Sequence, residues 1–197
     1  MLAVIPIHFL SVEHLKLEER LGRQKGEATG MALGLLSGWG LFLFWIGVWI
    51  SPQPRFDTPI LSGFSLQLPV IGVRVPMENL IPAMPLVGLG AWLGIAGVRE
   101  TTLKVSETHR PDRIVTTGVY SRVRHPQYLG GLVSHIGMSI LLSGWYALLS
   151  TPIVVVLVYA ISWKEEQELV KEFGHLYRAY AMKVPMLLPR LFFRVNR

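Results

Sequence analysis

No cysteine occurs among the 197 residues, which excludes disulfide cross-links, thiolate zinc sites and a cysteine nucleophile, and removes any redox mark of compartment. Charge is scarce as well: 16% of residues are Asp, Glu, Lys or Arg and 51% are apolar, whereas soluble domains carry about a quarter charged residues. Acidic side chains are the scarcer sign, 13 against 19 basic, for a net charge of +6. The basic residues flank apolar runs and do not form a basic domain interleaved with aromatics, so an anionic membrane surface, not nucleic acid, is the expected counterpart. Metal-like spacing is missing too. His8, His14, His109 and His175 have no acidic partners at ligand intervals, and no metal site is expected.

What the chain does have is apolar length. Ala28 to Ile50 contains no charge and exceeds the ~20 residues a bilayer core requires, so it predicts a transmembrane helix. The opening "MLAVIPIHFL" is too short to span and lacks the charged front and cleavage site of a signal peptide. It predicts a short membrane-associated piece, followed over the rest of residues 1–27 by a surface helix. Ser51 to Leu80 is rich in proline and glycine and reads as an extracytoplasmic loop, in which "FSLQL" and "IGVRV" can pair as short strands. Ile81 to Val98 predicts a second span, and its Gly90 to Gly94 step has the small-residue spacing that lets helices approach. Arg99 to Gln127 is polar. Tyr128 to Trp163 is apolar except near Leu142 to Tyr146, which predicts a helical hairpin.

The expected fold is therefore an all-α integral membrane protein of about four transmembrane helices, with a cytoplasmic C-terminal region. Arg55 and Arg74 stand in the extracytoplasmic loop, and the other 17 of the 19 basic residues fall on the opposite side. Multi-pass insertion with both termini cytoplasmic follows from the positive-inside rule.

The hairpin has a chemical consequence. It returns Lys164, Glu165 and Glu166 to the face where "GVYSRVRHPQYLGG", Gly118 to Gly131, supplies Arg124 and His125. Imidazole and guanidinium can hold a carboxylate, and a Glu can accept hydrogen bonds from ribose hydroxyls. Interfacial anchoring by Arg, Lys and Tyr is the plainer alternative. His135, seven residues after Tyr128 with Ser139 one turn on, is either an intramembrane functional group or a histidine bonded to a neighbouring helix.

"TTGVYSRVRHPQYLGG" followed after the hairpin by "KEEQELVKEFGHLYRAYAMKVPMLLP" resembles the isoprenylcysteine carboxyl methyltransferases and their prokaryotic relatives, and more distantly the phospholipid methyltransferases. The resemblance covers about Ile114 to Pro189. It implies a methyltransferase core over 99–197, behind two transmembrane helices and a loop over 28–98, with S-adenosylmethionine as cofactor. It also implies that Ile114, Val115 and Tyr120 line the pocket, that His125, Pro126, Gln127 and Tyr128 contact the cofactor, and that Glu165 holds it from the other helix. Arg124 and Glu166 are the catalytic candidates, Glu166 either supporting the site from behind or pairing with Arg124. The acceptor implied is a membrane lipid or lipidated molecule: a prenylcysteine-like carboxylate, or a phospholipid amine. One departure stands out. Ile161 occupies the position of a substrate-facing arginine in the eukaryotic prenylcysteine enzymes, which leaves Arg122, Arg124 and Arg99 as alternatives. The stretch "EEQELVKEFGHLYRAYAMKVPMLLP" predicts one amphipathic helix ending before Pro185. A membrane reductase using NADPH, related to the sterol reductases, and a non-enzymatic accessory membrane protein are the competing functions.

Overall fold

The computed structural model describes residues 4–56, 65–69, 72–102, 105 and 113–190; His109 lies outside the described residues. The chain is mostly helical. In order it forms α1 (Val4–Val12), α2 (His14–Leu21), α3 (Arg23–Ile50), β1 (Ser65–Leu68), β2 (Val73–Pro76), α4 (Leu80–Thr101), α5 (Pro126–Leu141), α6 (Trp145–Leu149), α7 (Thr151–Phe173) and α8 (His175–Lys183).

Helix α3 and the stretch Met77–Thr101 are each long and apolar enough to cross a bilayer. Their large side chains point outward: Leu36 is 60% exposed, Trp39 58% and Ile81 72%. A soluble core would bury such residues, and an apolar patch this continuous marks contact with another phase or partner. Membrane association follows. α5 has 16 residues, about 24 Å at ~1.5 Å per residue, a little short of a ~30 Å hydrocarbon core.

α4 and α5 pack backbone to backbone. A Cβ at Gly90 would lie 2.2 Å from Ser134 Oγ and 2.6 Å from the Gly130 carbonyl, one at Gly137 2.9 Å from Val87 N, and one at Gly97 2.6 Å from Gln127 Cγ. The Gly94 Cβ position is open. A Cβ at Gly130 would in turn meet the Gly90 carbonyl at 2.6 Å and Gly94 N at 3.0 Å, so the Gly90 to Gly94 step does face α5, and close contacts recur at Gly97 and Gly137 two turns on.

At one end of the bundle the hairpin reverses through Leu142, Ser143 and Gly144. Helix-terminal carbonyls need donors where water is excluded. Asn79 Nδ2 donates to the Ile140 carbonyl (2.9 Å) and to Ser143 Oγ (2.7 Å), and Arg55 Nη1 donates to the carbonyls of Leu142 (2.8 Å) and Trp49 (3.1 Å). β1 and β2 sit at this end as an antiparallel pair in the register Leu66 to Val75 and Leu68 to Val73, as the alternating patches suggest. His135 belongs to the same half: its Nδ1 accepts from Trp49 Nε1 at 3.3 Å, and its ring stacks on Trp45 and Trp49. Of the two readings open to it, the structure takes the neighbour-bonded one.

Two expected boundaries move. α3 begins at Arg23, so the surface helix is only α2, and Gly26 lets α3 fold back against it: a Cβ there would come within 2.6 Å of Glu18 backbone. The C-terminal amphipathic stretch is not one helix. α7 runs from the hairpin through Phe173, and the chain breaks at Gly174, whose φ of 57° is left-handed and open to glycine without strain; α8 then starts at His175.

Candidate functional site

The other end of the bundle is where α4 finishes, α5 starts and the C-terminal half of α7 passes. Pro126 sets the first turn of α5, where its missing N–H costs no hydrogen bond, and His125 sits just outside it. Upstream, a 3-10 turn over Gly118–Ser121 brings Tyr120 back beneath α5. Gly118 adopts φ 53°, and a Cβ there would collide with Glu100 Oε1 at 2.0 Å; Glu100 Oε2 accepts from Thr117 Oγ1 at 2.9 Å. Gln127 Nε2 donates to Tyr120 Oη at 3.2 Å and to Thr101 Oγ1 at 3.4 Å, tying loop, α5 and α4 together.

The C-terminal segment locks this loop. Arg124 N donates to the Pro185 carbonyl at 3.0 Å and His125 N to the Met186 carbonyl at 3.1 Å. Tyr180 Oη donates to the Tyr120 carbonyl at 2.7 Å. Arg124 is the hub: Nε and Nη2 form a bidentate pair with Glu166 at 2.7 and 2.9 Å, and Nη1 donates to the carbonyls of Ala181 (2.6 Å) and Val184 (2.7 Å). A planar guanidinium with several fixed donors suits this geometry, which an ammonium cannot copy.

His125 lies between the two carboxylates, Nε2 3.1 Å from Glu166 Oε1 and Nδ1 3.5 Å from Glu165 Oε2. Tyr128 Oη donates to Glu165 Oε1, and the Tyr128 ring stacks on His125. Burial opposes the imidazolium, but the hydrogen bonds and charges of Glu165 and Glu166 outweigh it and carry the His125 pKa above its ordinary value. Burial likewise opposes the Glu166 carboxylate, and His125 and Arg124 outweigh that, holding its pKa down. Burial pushes the phenols of Tyr120, Tyr177 and Tyr180 up, so all three remain neutral donors at physiological pH.

These groups surround a cleft of about 930 Å³, open to solvent. Of the residues the sequence singles out, Ile114, Val115, Tyr120, Arg124, His125, Gln127, Tyr128 and Glu165 line it. Pro126 is fully buried and starts the helix. Glu166 stands behind the lining and pairs with Arg124, so the two roles open to it coincide. Among the arginines offered in place of Ile161, Arg124 is spent on Glu166 and two carbonyls, Arg99 and Arg122 are exposed, and Arg113, which the sequence did not flag, lines the cleft.

The cleft also takes in Glu168, Leu169 and Glu172. They share a helical face with Glu165 by their spacing of three, four and seven residues, a signal present in the sequence. Tyr177 and Tyr180 line it too, at the tyrosines of the Phe-Gly-x-x-Tyr-x-x-Tyr motif. Val12 and His14 have no such signal. They arrive from the α1–α2 junction, which is held by Glu13: its carboxylate accepts from Lys16 at 2.7 Å and from Lys164 at 2.6 Å. Those bonds keep the Glu13 pKa at about 2, well below its ordinary 4.5.

Fold and cleft together define a membrane-associated helical protein with a cleft of charged, aromatic and apolar side chains at one end of its apolar bundle. Residues 79–175 match the family model described as phospholipid methyltransferase. The chain is 31% identical over 102 residues to a protein-S-isoprenylcysteine O-methyltransferase of Schizosaccharomyces pombe, covering 48% of this chain and 40% of that one. It is 33% identical over 130 residues to protein-S-isoprenylcysteine O-methyltransferase B of Arabidopsis thaliana, covering 66% and 59%. To methanethiol S-methyltransferase 2 of Bradyrhizobium diazoefficiens it is 40% identical over 78 residues, covering 39% and 29%. In these three alignments the chain spans 29% to 59% of the relatives' own length. Over these regions the chain is similar to the isoprenylcysteine carboxyl methyltransferases and their relatives.

Proposed function

We propose that the protein transfers a methyl group from S-adenosylmethionine to a lipid or lipid-modified acceptor, with the cleft on the cytoplasmic face of the membrane. The observation that carries this reading is the single cleft in which His125 and Tyr128 from α5 meet Glu165 from α7, beside helices whose apolar faces point outward. The donor set suits the group. Glu165, Glu168 and Glu172 make a negative lining that favours a sulfonium cation and can accept from ribose hydroxyls. Arg113 and His125 can hold a carboxylate, and Ile114, Val115 and Leu169 give apolar wall for a base.

When bound, S-adenosylmethionine supplies the activated methyl group. The chain's own residues orient the acceptor and exclude water. A carboxylate acceptor needs no base, whereas a thiol or amine gives up a proton. Both ring nitrogens of His125 face carboxylates and Glu166 is held behind the wall by Arg124, so the carboxylates on the cleft wall, Glu165 and Glu172, are the groups placed to take it. In this reading Arg124 and Glu166 position the catalytic cleft and do not touch substrate.

Incubating the protein in liposomes of a total lipid extract with isotopically labelled donor, followed by mass spectrometry, tests the reading. Labelled methyl in the lipid fraction is expected. Label confined to a water-soluble thiol would overturn the lipid acceptor, and no transfer to any acceptor would overturn the function.

A further inference from the structure

Helix α1 lies outside both the family match and the motifs of the C-terminal region, yet it sends one side chain to the centre of the site. His8 is 1% exposed. Its Nδ1 is 3.3 Å from Ser37 Oγ on α3, and its Nε2 is 3.3 Å from Glu165 Oε1 on α7. That carboxylate oxygen is the one that already accepts from Tyr128 Oη. The other oxygen, Oε2, is the one 3.5 Å from His125 Nδ1.

The approach lies off the line of a hydrogen bond, so what Nε2 brings to the Glu165 carboxylate is the positive edge of an N–H at close range, since two facing lone pairs would oppose each other in a buried setting. Ser37 Oγ, 3.3 Å from Nδ1 and donating its proton to the Gly34 carbonyl at 3.0 Å, fixes the opposite edge of the ring. His8 does not line the cleft, whereas Glu165 does. We infer that His8 is a positioning residue for methyl-donor binding: with Tyr128 it holds Glu165 Oε1 from behind, so that the carboxylate presents a fixed orientation to the cleft. The N-terminal helix is then part of the donor site and not only a membrane-associated appendage.

The inference rests on the proposed methyltransferase reading, and the test separates the two. Affinity for S-adenosylhomocysteine is measured by calorimetry on the full chain, His8→Leu, His8→Gln and Ser37→Ala, with unliganded thermal unfolding as the control. A leucine keeps bulk and loses the donor. The glutamine amide places an N–H where Nε2 stood. A close N–H contact with a charged group, short of full hydrogen-bond geometry, corresponds to about 10-fold in affinity, so His8→Leu is expected to weaken binding by that factor, and His8→Gln to recover most of it. Ser37→Ala, which only loosens the ring, is expected to weaken binding about 2- to 10-fold. Binding by His8→Leu equal to that of the unaltered chain overturns the inference alone, as does His8→Gln binding no better than His8→Leu. If His8→Leu does not fold, undiminished binding by Ser37→Ala overturns it. Failure of the unaltered chain to bind overturns the methyltransferase reading and this inference with it.

Discussion

Arg124 illustrates how a residue can be near the chemistry without performing it. Its side chain makes two bonds to Glu166 and two to the carbonyls that close the C-terminal segment. Removing one partner of a buried ion pair leaves a charge uncompensated, at a cost of about 3–5 kcal/mol. Arg124→Ala is therefore expected to lower unfolding free energy by about that amount, measured by denaturant titration in detergent; a change below about 1 kcal/mol would mean the pair is effectively solvated. His125 and Glu165 were legible from sequence because the Arg-His-Pro-x-Tyr run marks a helix start and the hairpin fixes where the chain returns. His8 was not. Nothing in a histidine on a short apolar helix signals contact with a carboxylate from the far end of the chain.

At the scale of elements, α4 and α5 were readable as helices from apolar length, and the strand pair from alternation. Their packing register was not. Gly90 and Gly94 look equivalent in sequence and both present backbone to Gly130, but only at Gly90 would a Cβ strike α5: Gly130 O lies 2.6 Å from its Cβ position and nothing lies within 4 Å of Gly94's. Overpacking a tight contact costs about 1–3 kcal/mol, so Gly90→Ala is expected to destabilise by that much and Gly94→Ala by less than about 0.5 kcal/mol; equal effects would contradict the observed crossing. The clasp of Glu13 on Lys16 and Lys164 gives a pH signature. Its carboxylate has a folded pKa below the ordinary value, so the stabilisation is complete above 4.5 and is lost as pH falls toward about 2. The melting-point gap between the unaltered chain and Glu13→Gln should shrink through that interval, and a gap independent of pH would show that the clasp does not join the α1–α2 junction to α7.

For the whole molecule, composition told more than any motif: few charges and long apolar runs follow from a bilayer as solvent, and the outward apolar side chains of α3 and α4 agree with it. The unusual demand is that polar chemistry be assembled at the edge of that solvent. The fold meets it by bringing three helix termini and the C-terminal segment around one cleft, with α1 and α2 closing the side that motif matching leaves open. Sequence reasoning stopped short there because the closure depends on packing between segments with no shared periodicity. Calorimetric titration with S-adenosylhomocysteine of the unaltered chain and of Glu165→Gln tests the central claim most directly. The account predicts saturable binding, with NADPH giving none, and a loss of about tenfold or more when the Glu165 charge is removed. Absence of binding, or binding that Glu165→Gln leaves unchanged, would contradict it.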